Sequence, residues 1–78
     1  MPRVANDYIE ELAKKTRLIT RRDVERLTGL TRNQIRRLEL EGNFPARRRV
    51  GDRSIGWKLV EIVDWVRSLP VEERVPAK

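Results

Sequence analysis

Two threonines, Thr20 and Thr31, each stand at the head of a short amphipathic run, with a glycine between the runs. This arrangement constrains the fold more than any other feature of the chain. Thr20 is a good N-cap, and Asp23 stands where a capping-box acid would sit; Thr31 repeats the signal with Gln34. Val24 and Leu27 form the inner face of the first run, Ile35 and Leu38 that of the second. Gly29 breaks the first helix, and Gly42 is a natural terminator just past the end of the second. Two short helices joined by a tight glycine-containing turn make a helix-turn-helix pattern.

What flanks the pattern is read in the same way. Asn6 is expected to cap a short helix from Asp7 to about Lys15, leaving residues 1–6 as a loose end. Its acids fall early and its bases late, as the helix dipole prefers, and Tyr8, Ile9 and Leu12 are its apolar side. After Phe44-Pro45, Arg47, Arg48, Arg49 and Val50 lead through Gly51, Asp52, Arg53 and Ser54 to Ile55, Gly56 and Trp57. A turn-rich stretch between two short runs predicts a β-hairpin with its tip near Asp52 and Arg53. Val50, Ile55 and Trp57 are expected to face the core, with the arginines facing out. Leu40, on the outer side of its helix, is expected to pack under the loop that follows. Gly51 and Gly56 are read as turn and close-approach positions. A last helix from about Leu59 to Ser68 presents Leu59, Ile62, Trp65, Val66 and Leu69 on one broad face. Lys58 is a poor cap for it, and Pro70 stops it. Both tryptophans and Phe44 are read as core residues, since each is in phase with other apolar positions and a small domain needs large side chains inside. The expected organisation is an N-terminal extension over residues 1–17, a winged helix-turn-helix over 18–69 and a mobile tail over 70–78. The fold class is mainly α with a small β-hairpin.

Composition narrows the function. The chain has neither cysteine nor histidine, which removes disulfides, thiolate metal sites and the commonest general base and neutral metal ligand. Nothing pairs carboxylates in an apolar pocket, and no glycine-rich phosphate loop is present. An enzyme, a cofactor or a metal is therefore not expected. No apolar run reaches the roughly 20 residues of a membrane span, and the N-terminus lacks the apolar segment of a signal peptide. The protein is expected to be soluble and cytoplasmic, without a membrane partner.

The net charge of +6 is unevenly placed: residues 32–58 carry eight Lys/Arg against three Asp/Glu. Arginine outnumbers lysine fourteen to four. Arginine suits planar contacts to phosphates and guanine edges, although genomic base composition produces the same bias. At about 100° per residue, Arg32, Asn33, Arg36 and Arg37 gather on the side opposite Ile35 and Leu38. Side chains of this kind near the N-terminus of a recognition helix read base edges in the major groove. In this reading Asn33 and Arg36 contact bases, Arg32 and Arg37 are shared between bases and phosphates, and Arg22 joins the interface from the preceding helix. Arg47, Arg48, Arg49 and Arg53, directly after that helix, make the hairpin a wing that holds the backbone. A plain solvated face is the alternative for the helix, and a solubilising or RNA-binding patch for the arginine run.

Several of these residues resemble a known family. Phe44-Pro45, a basic cluster, Val50-Gly51, Ser54-Ile55-Gly56-Trp57 and Glu61-Ile62-Val63-Asp64-Trp65-Val66 are similar to the AlpA family of phage and prophage regulators. Leu18-Ile19-Thr20-Arg21-Arg22-Asp23-Val24, Thr28-Gly29-Leu30-Thr31-Arg32, Ile35 and Glu41-Gly42 resemble its helix-turn-helix. The likeness covers about residues 18–69. It departs at Leu59, where the family often has a polar or acidic helix start, and in the longer N-terminal stretch. The resemblance implies a winged helix of the excisionase and MerR-like kind that binds double-stranded DNA. Such a protein acts as a transcription regulator or as an excisionase-like factor that bends DNA beside an integrase, with further copies on adjacent sites. The long dimerising coiled coil of MerR regulators has no counterpart after Leu69, so no small-molecule effector is expected. From a different class, an RNA binder or a protein-interaction module would use the same basic face.

Overall fold

The computed structural model describes residues 2–72, with side chains from Tyr8 onward. Its elements are α1 (Pro2–Thr16), β1 (Leu18–Ile19), α2 (Arg21–Thr28), α3 (Arg32–Leu40), β2 (Arg48–Arg49), β3 (Ile55–Lys58) and α4 (Leu59–Ser68). Both capping boxes form. The Thr20 side chain accepts from the Asp23 amide while Asp23 accepts from the Thr20 amide, and Thr31 and Gln34 do the same for α3. Gly29 and Gly42 follow the two helices with φ of 77° and 78°, the left-handed conformation that side chains with a Cβ adopt only at a cost.

The chain departs from expectation in three places. Helix α1 begins at Pro2, so Asn6 lies inside it and does not cap it. Proline is at home in a first turn, where its missing N–H costs no hydrogen bond, and the chain is helical before Asn6 is reached. The sheet has three strands, ordered β1-β3-β2 and antiparallel throughout. Leu18 pairs with Lys58 and Ile19 with Trp57, while Arg48 pairs with Gly56 and Arg49 with Ile55. The expected hairpin is thus one side of a central strand whose other side is taken by β1. Third, several apolar residues expected to be covered are exposed: Leu27, Val50, Ile55, Val66 and Leu69, read as core-facing, and Leu40, read as packed under a loop. Leu40, at 72% exposure, packs under no loop. A chain this short has too little interior for every in-phase apolar residue.

The core is Ile19, Val24, Ile35, Phe44, Trp57 and Ile62, with Leu30, Leu38, Leu59 and Trp65 packed against it. One residue from each of α2, α3, α4, β1 and β3 therefore meets at the centre, with Phe44 from the segment after α3. Helix α4 has no side-chain cap; its Leu59 amide instead donates to the Arg17 carbonyl at 2.8 Å, tying its start to the residue that precedes β1. The segment leaving α3 is clamped by the two indoles. Trp65 Nε1 donates to the Asn43 carbonyl at 2.9 Å and Trp57 Nε1 to that of Pro45 at 3.2 Å. Phe44 lies edge-on to Trp65 between them, with ring centroids 4.7 Å apart. Trp57 and Phe44 are thus interior residues and Trp65 is partly buried against them, and together they fix where the hairpin leaves the helix. Gly56 is a close-approach position: a Cβ there would meet the Ile19 carbonyl and Val50 Cγ2, each at 3.2 Å. Gly51 has open space around it. The architecture is a winged helix-turn-helix. No helix among the described residues is long and apolar enough to cross a membrane, and residues 73–78 of the expected tail lie outside the described range.

Candidate nucleic-acid interface

The direction of the α3 side chains follows from two buried ones. Ile35 and Leu38 turn inward, so at about 100° per residue Asn33, Arg36 and Arg37 turn outward, and all three are exposed. Arg32 and Glu39 sit on the flank facing the sheet. The capped start of α3 adds the positive end of a helix dipole beside Arg32.

Between this flank, the start of α2 and strand β3 lies a cleft of about 460 Å³. Arg32, Asn33 and Arg36 line it from α3, Arg21 from α2, Arg47 from the segment before β2, and Ile55 from β3. Arg22 lies on the other side of the turn, where it lines a shallower groove with Thr31 and Arg32. Arg37 is exposed beyond the cleft. Arg48 and Arg49 lie on β2 and Arg53 in the loop between β2 and β3, all exposed. The expected site residues therefore form two groups: one around the cleft, one along the hairpin.

Their partners differ. Among the described residues, Arg22, Arg32, Arg37 and Arg53 make no ion pair. Arg36 approaches Glu39 at 3.5 Å and remains about half exposed. Arg47 is held far more firmly. Its Nη2 donates to Glu39 Oε1 at 2.6 Å, its Nε to both carboxylate oxygens at 3.0 and 3.2 Å, and its backbone amide to Oε2 at 3.1 Å. The guanidinium also lies 5.3 Å from the centre of the Trp57 ring, within cation–π range. Arg48 pairs with Glu61 of α4 at 2.6 Å, and Arg49 donates to the Asp52 carbonyl across the loop at 3.1 Å.

Glu39 is the acid that organises this side. Its side chain is 6% exposed. Burial pushes its carboxyl up, but hydrogen bonds and charge from Arg47, with a further hydrogen bond from Arg36, outweigh that, and its pKa lies below the ordinary glutamate value. Glu39, Arg21 and Ile55 were not among the residues expected from sequence. One signal pointed to Glu39, a lone acid on the flank of an arginine-rich helix. Arg21, paired with Glu25 one turn later at 3.1 Å, reads in sequence as an ordinary surface pair.

No group of carboxylates among the described residues is arranged to hold a metal. The arrangement is an outward-facing set of hydrogen-bond donors above a positively charged cleft, braced from behind by one carboxylate. It suits the recognition of an acceptor-rich, negatively charged surface.

A search of curated protein sequences returns no match. The family described as Prophage CP4-57 regulatory protein (AlpA) matches residues 17–69, a span that begins just before β1, ends just after α4 and contains every residue of the candidate interface. The chain belongs to this AlpA family of prophage regulatory proteins.

Proposed function

We propose that the chain is a sequence-specific double-stranded DNA-binding protein that regulates transcription in the manner of a phage or prophage regulator, working as a soluble cytoplasmic protein without catalysis. In this reading α3 enters the major groove. Asn33 and Arg36 read base edges, and Arg32 and Arg37 divide between bases and phosphates. Arg22 and Arg21 reach the backbone beside the turn, and Arg48, Arg49 and Arg53 follow it along the wing. Arg47 has its donors directed at Glu39, so its part is to set the wing's angle to α3.

The observation that carries the reading is the position of Arg32, Asn33 and Arg36 at the open edge of a cleft whose other wall is the hairpin. One surface can thereby meet a groove and its flanking backbone together. The test is fluorescence anisotropy with DNA flanking the protein's own gene, against shuffled duplex, from low to physiological salt. Tight binding to one fragment near 150 mM salt supports the reading; equal, steeply salt-sensitive binding to both would overturn it. On the fragment that binds, a circular-permutation gel separates a regulator from an architectural factor that bends DNA beside an integrase.

A further inference from the structure

We infer that Leu40 is a specificity-determining residue that packs against the 5-methyl group of a thymine, an inference that rests on the reading of α3 as the helix that enters the major groove. Projected down the helix at about 100° per residue, Leu40 falls between Arg36 and Asn33, about 20° from Asn33. That is the middle of the outward face, opposite the inward pair Ile35 and Leu38. The side chains around it are hydrogen-bond donors, and Leu40 stands among them as an aliphatic group left 72% exposed. A single exposed leucine is ordinary on a protein surface. Its place at the centre of a base-reading face is what gives this one a role.

The exit of the chain from α3 explains why Leu40 is left uncovered. Gly42 turns the backbone with a φ of 78°, and the Asn43 amide donates back to the Leu38 carbonyl at 2.8 Å. The Asn43 carbonyl is then taken by Trp65, and Phe44 enters the core. The loop therefore leaves toward the inward side of the helix. The nine residues of α3 span about 13 Å, close to the roughly 12 Å width of a major groove. A helix lying in the groove thus keeps its last turn within reach of base edges.

The chemistry of the groove selects the base. Guanine presents two acceptors there, adenine an acceptor and a donor, cytosine a donor, and thymine an acceptor and a methyl group. The methyl is the one apolar group on these edges. A leucine side chain neither gives nor takes a hydrogen bond. Against a polar edge it strips water from a donor or acceptor without replacing it. Against a thymine methyl it removes apolar surface from water on both sides. Asn33 and Leu40 are separated by two helical turns, about 10 Å along the axis, and base pairs stack about 3.4 Å apart. The thymine therefore lies within about three base pairs of the pair that Asn33 contacts.

The test uses the full chain and the duplex fragment it prefers. Thymines of the bound site are replaced one at a time by deoxyuridine, which removes the methyl and keeps the base pair, and affinity is read by fluorescence anisotropy. The expected result is a loss of about fourfold at one thymine, equivalent to about 0.8 kcal/mol. That thymine lies within about three base pairs of the position whose preference Asn33→Ala relaxes. Leu40→Ala should bind the unmodified site about fourfold more weakly or worse, and lose nothing further at that uridine. Leu40 is exposed, so the variant keeps the fold, and the thymine-to-uridine ratio is taken within one protein, so any inactive fraction cancels. Wild-type indifference to every uridine would overturn the inference, as would a Leu40→Ala protein that still responds to the methyl. Leu40→Ala binding as tightly as wild type would also overturn it and leave the leucine to a protein partner. In these three cases the DNA-binding reading stands; absence of any preferred fragment would overturn both.

Discussion

The arginines of α3 and those of the segment that follows it are the same residue type in different employment. On α3, Arg32 and Arg37 make no ion pair among the described residues and Arg36 only a long one. After it, Arg47 is bound to Glu39 by four hydrogen bonds, Arg48 to Glu61 and Arg49 to a loop carbonyl. A side chain on a short helix is aimed by the helix and needs no partner to be placed. The segment that follows is not so aimed: acids on α3 and α4 hold Arg47 and Arg48, and a loop carbonyl holds Arg49. Positive charge thus has two uses here: displayed on the helix, and partly consumed in the wing to hold it in place.

Trp57→Ala tests the foundation shared by both groups. It removes the fully buried ring beneath Arg47, and a loss of about 3–5 kcal/mol is expected, read by urea or thermal unfolding. In a domain this small that abolishes the fold, and DNA binding by both sets of arginines goes with it. Retention of a native melt would show that the wing does not depend on this core.

Glu39→Gln cuts the tie between the groups and leaves Arg47 without its counter-charge. A destabilisation of about 2 kcal/mol is expected. The pH dependence follows from the lowered Glu39 pKa. A carboxyl whose folded pKa lies below its unfolded value near 4.5 stabilises the fold above that value. The contribution is lost as pH falls through the folded pKa. Acid melts should therefore show the wild-type advantage over Glu39→Gln shrinking below about pH 4.5, and an advantage that persisted unchanged there would remove Glu39 from this role.

On DNA, the displayed group should differ from the wing group in kind. Arg36→Ala is expected to cost about 1–3 kcal/mol and to relax preference at one base position, whereas Arg53→Ala should weaken all sequences alike and flatten the salt slope by about one unit. Identical behaviour of the two in a salt titration on specific and shuffled duplex would erase the distinction. The smallest effect is expected for Arg48→Ala. Its pair with Glu61 is partly exposed, so stability should fall by less than about 1 kcal/mol in the same unfolding assay.

Much of the site was legible in the chain because α3 is locally specified. Thr31, Gln34 and Gly42 mark its ends, and Ile35 and Leu38 orient it, so the outward side of Asn33, Arg36 and Arg37 follows without knowledge of any other element. Arg47 was not legible. Its partner lies on another element, eight residues away, and no periodicity links an α3 flank to the start of a hairpin. The same holds for β1, a two-residue strand that exists because Lys58 and Trp57 lie beside it; Leu18-Ile19 alone carries no strand signal.

By itself, the sequence determined the ends of α2 and α3, the place of the hairpin, the extent of α4 and the outward face of α3. Each is written within a few neighbouring residues, as a cap, a glycine, a proline or a helical period. Tertiary structure alone decided which apolar residues are sealed and which, like Leu27 and Val66, remain on the surface. It also decided which arginines are held by acids, and that β3 is the middle strand of three. These depend on contacts between residues distant in the chain, where burial and pairing are shared among elements that no local pattern describes.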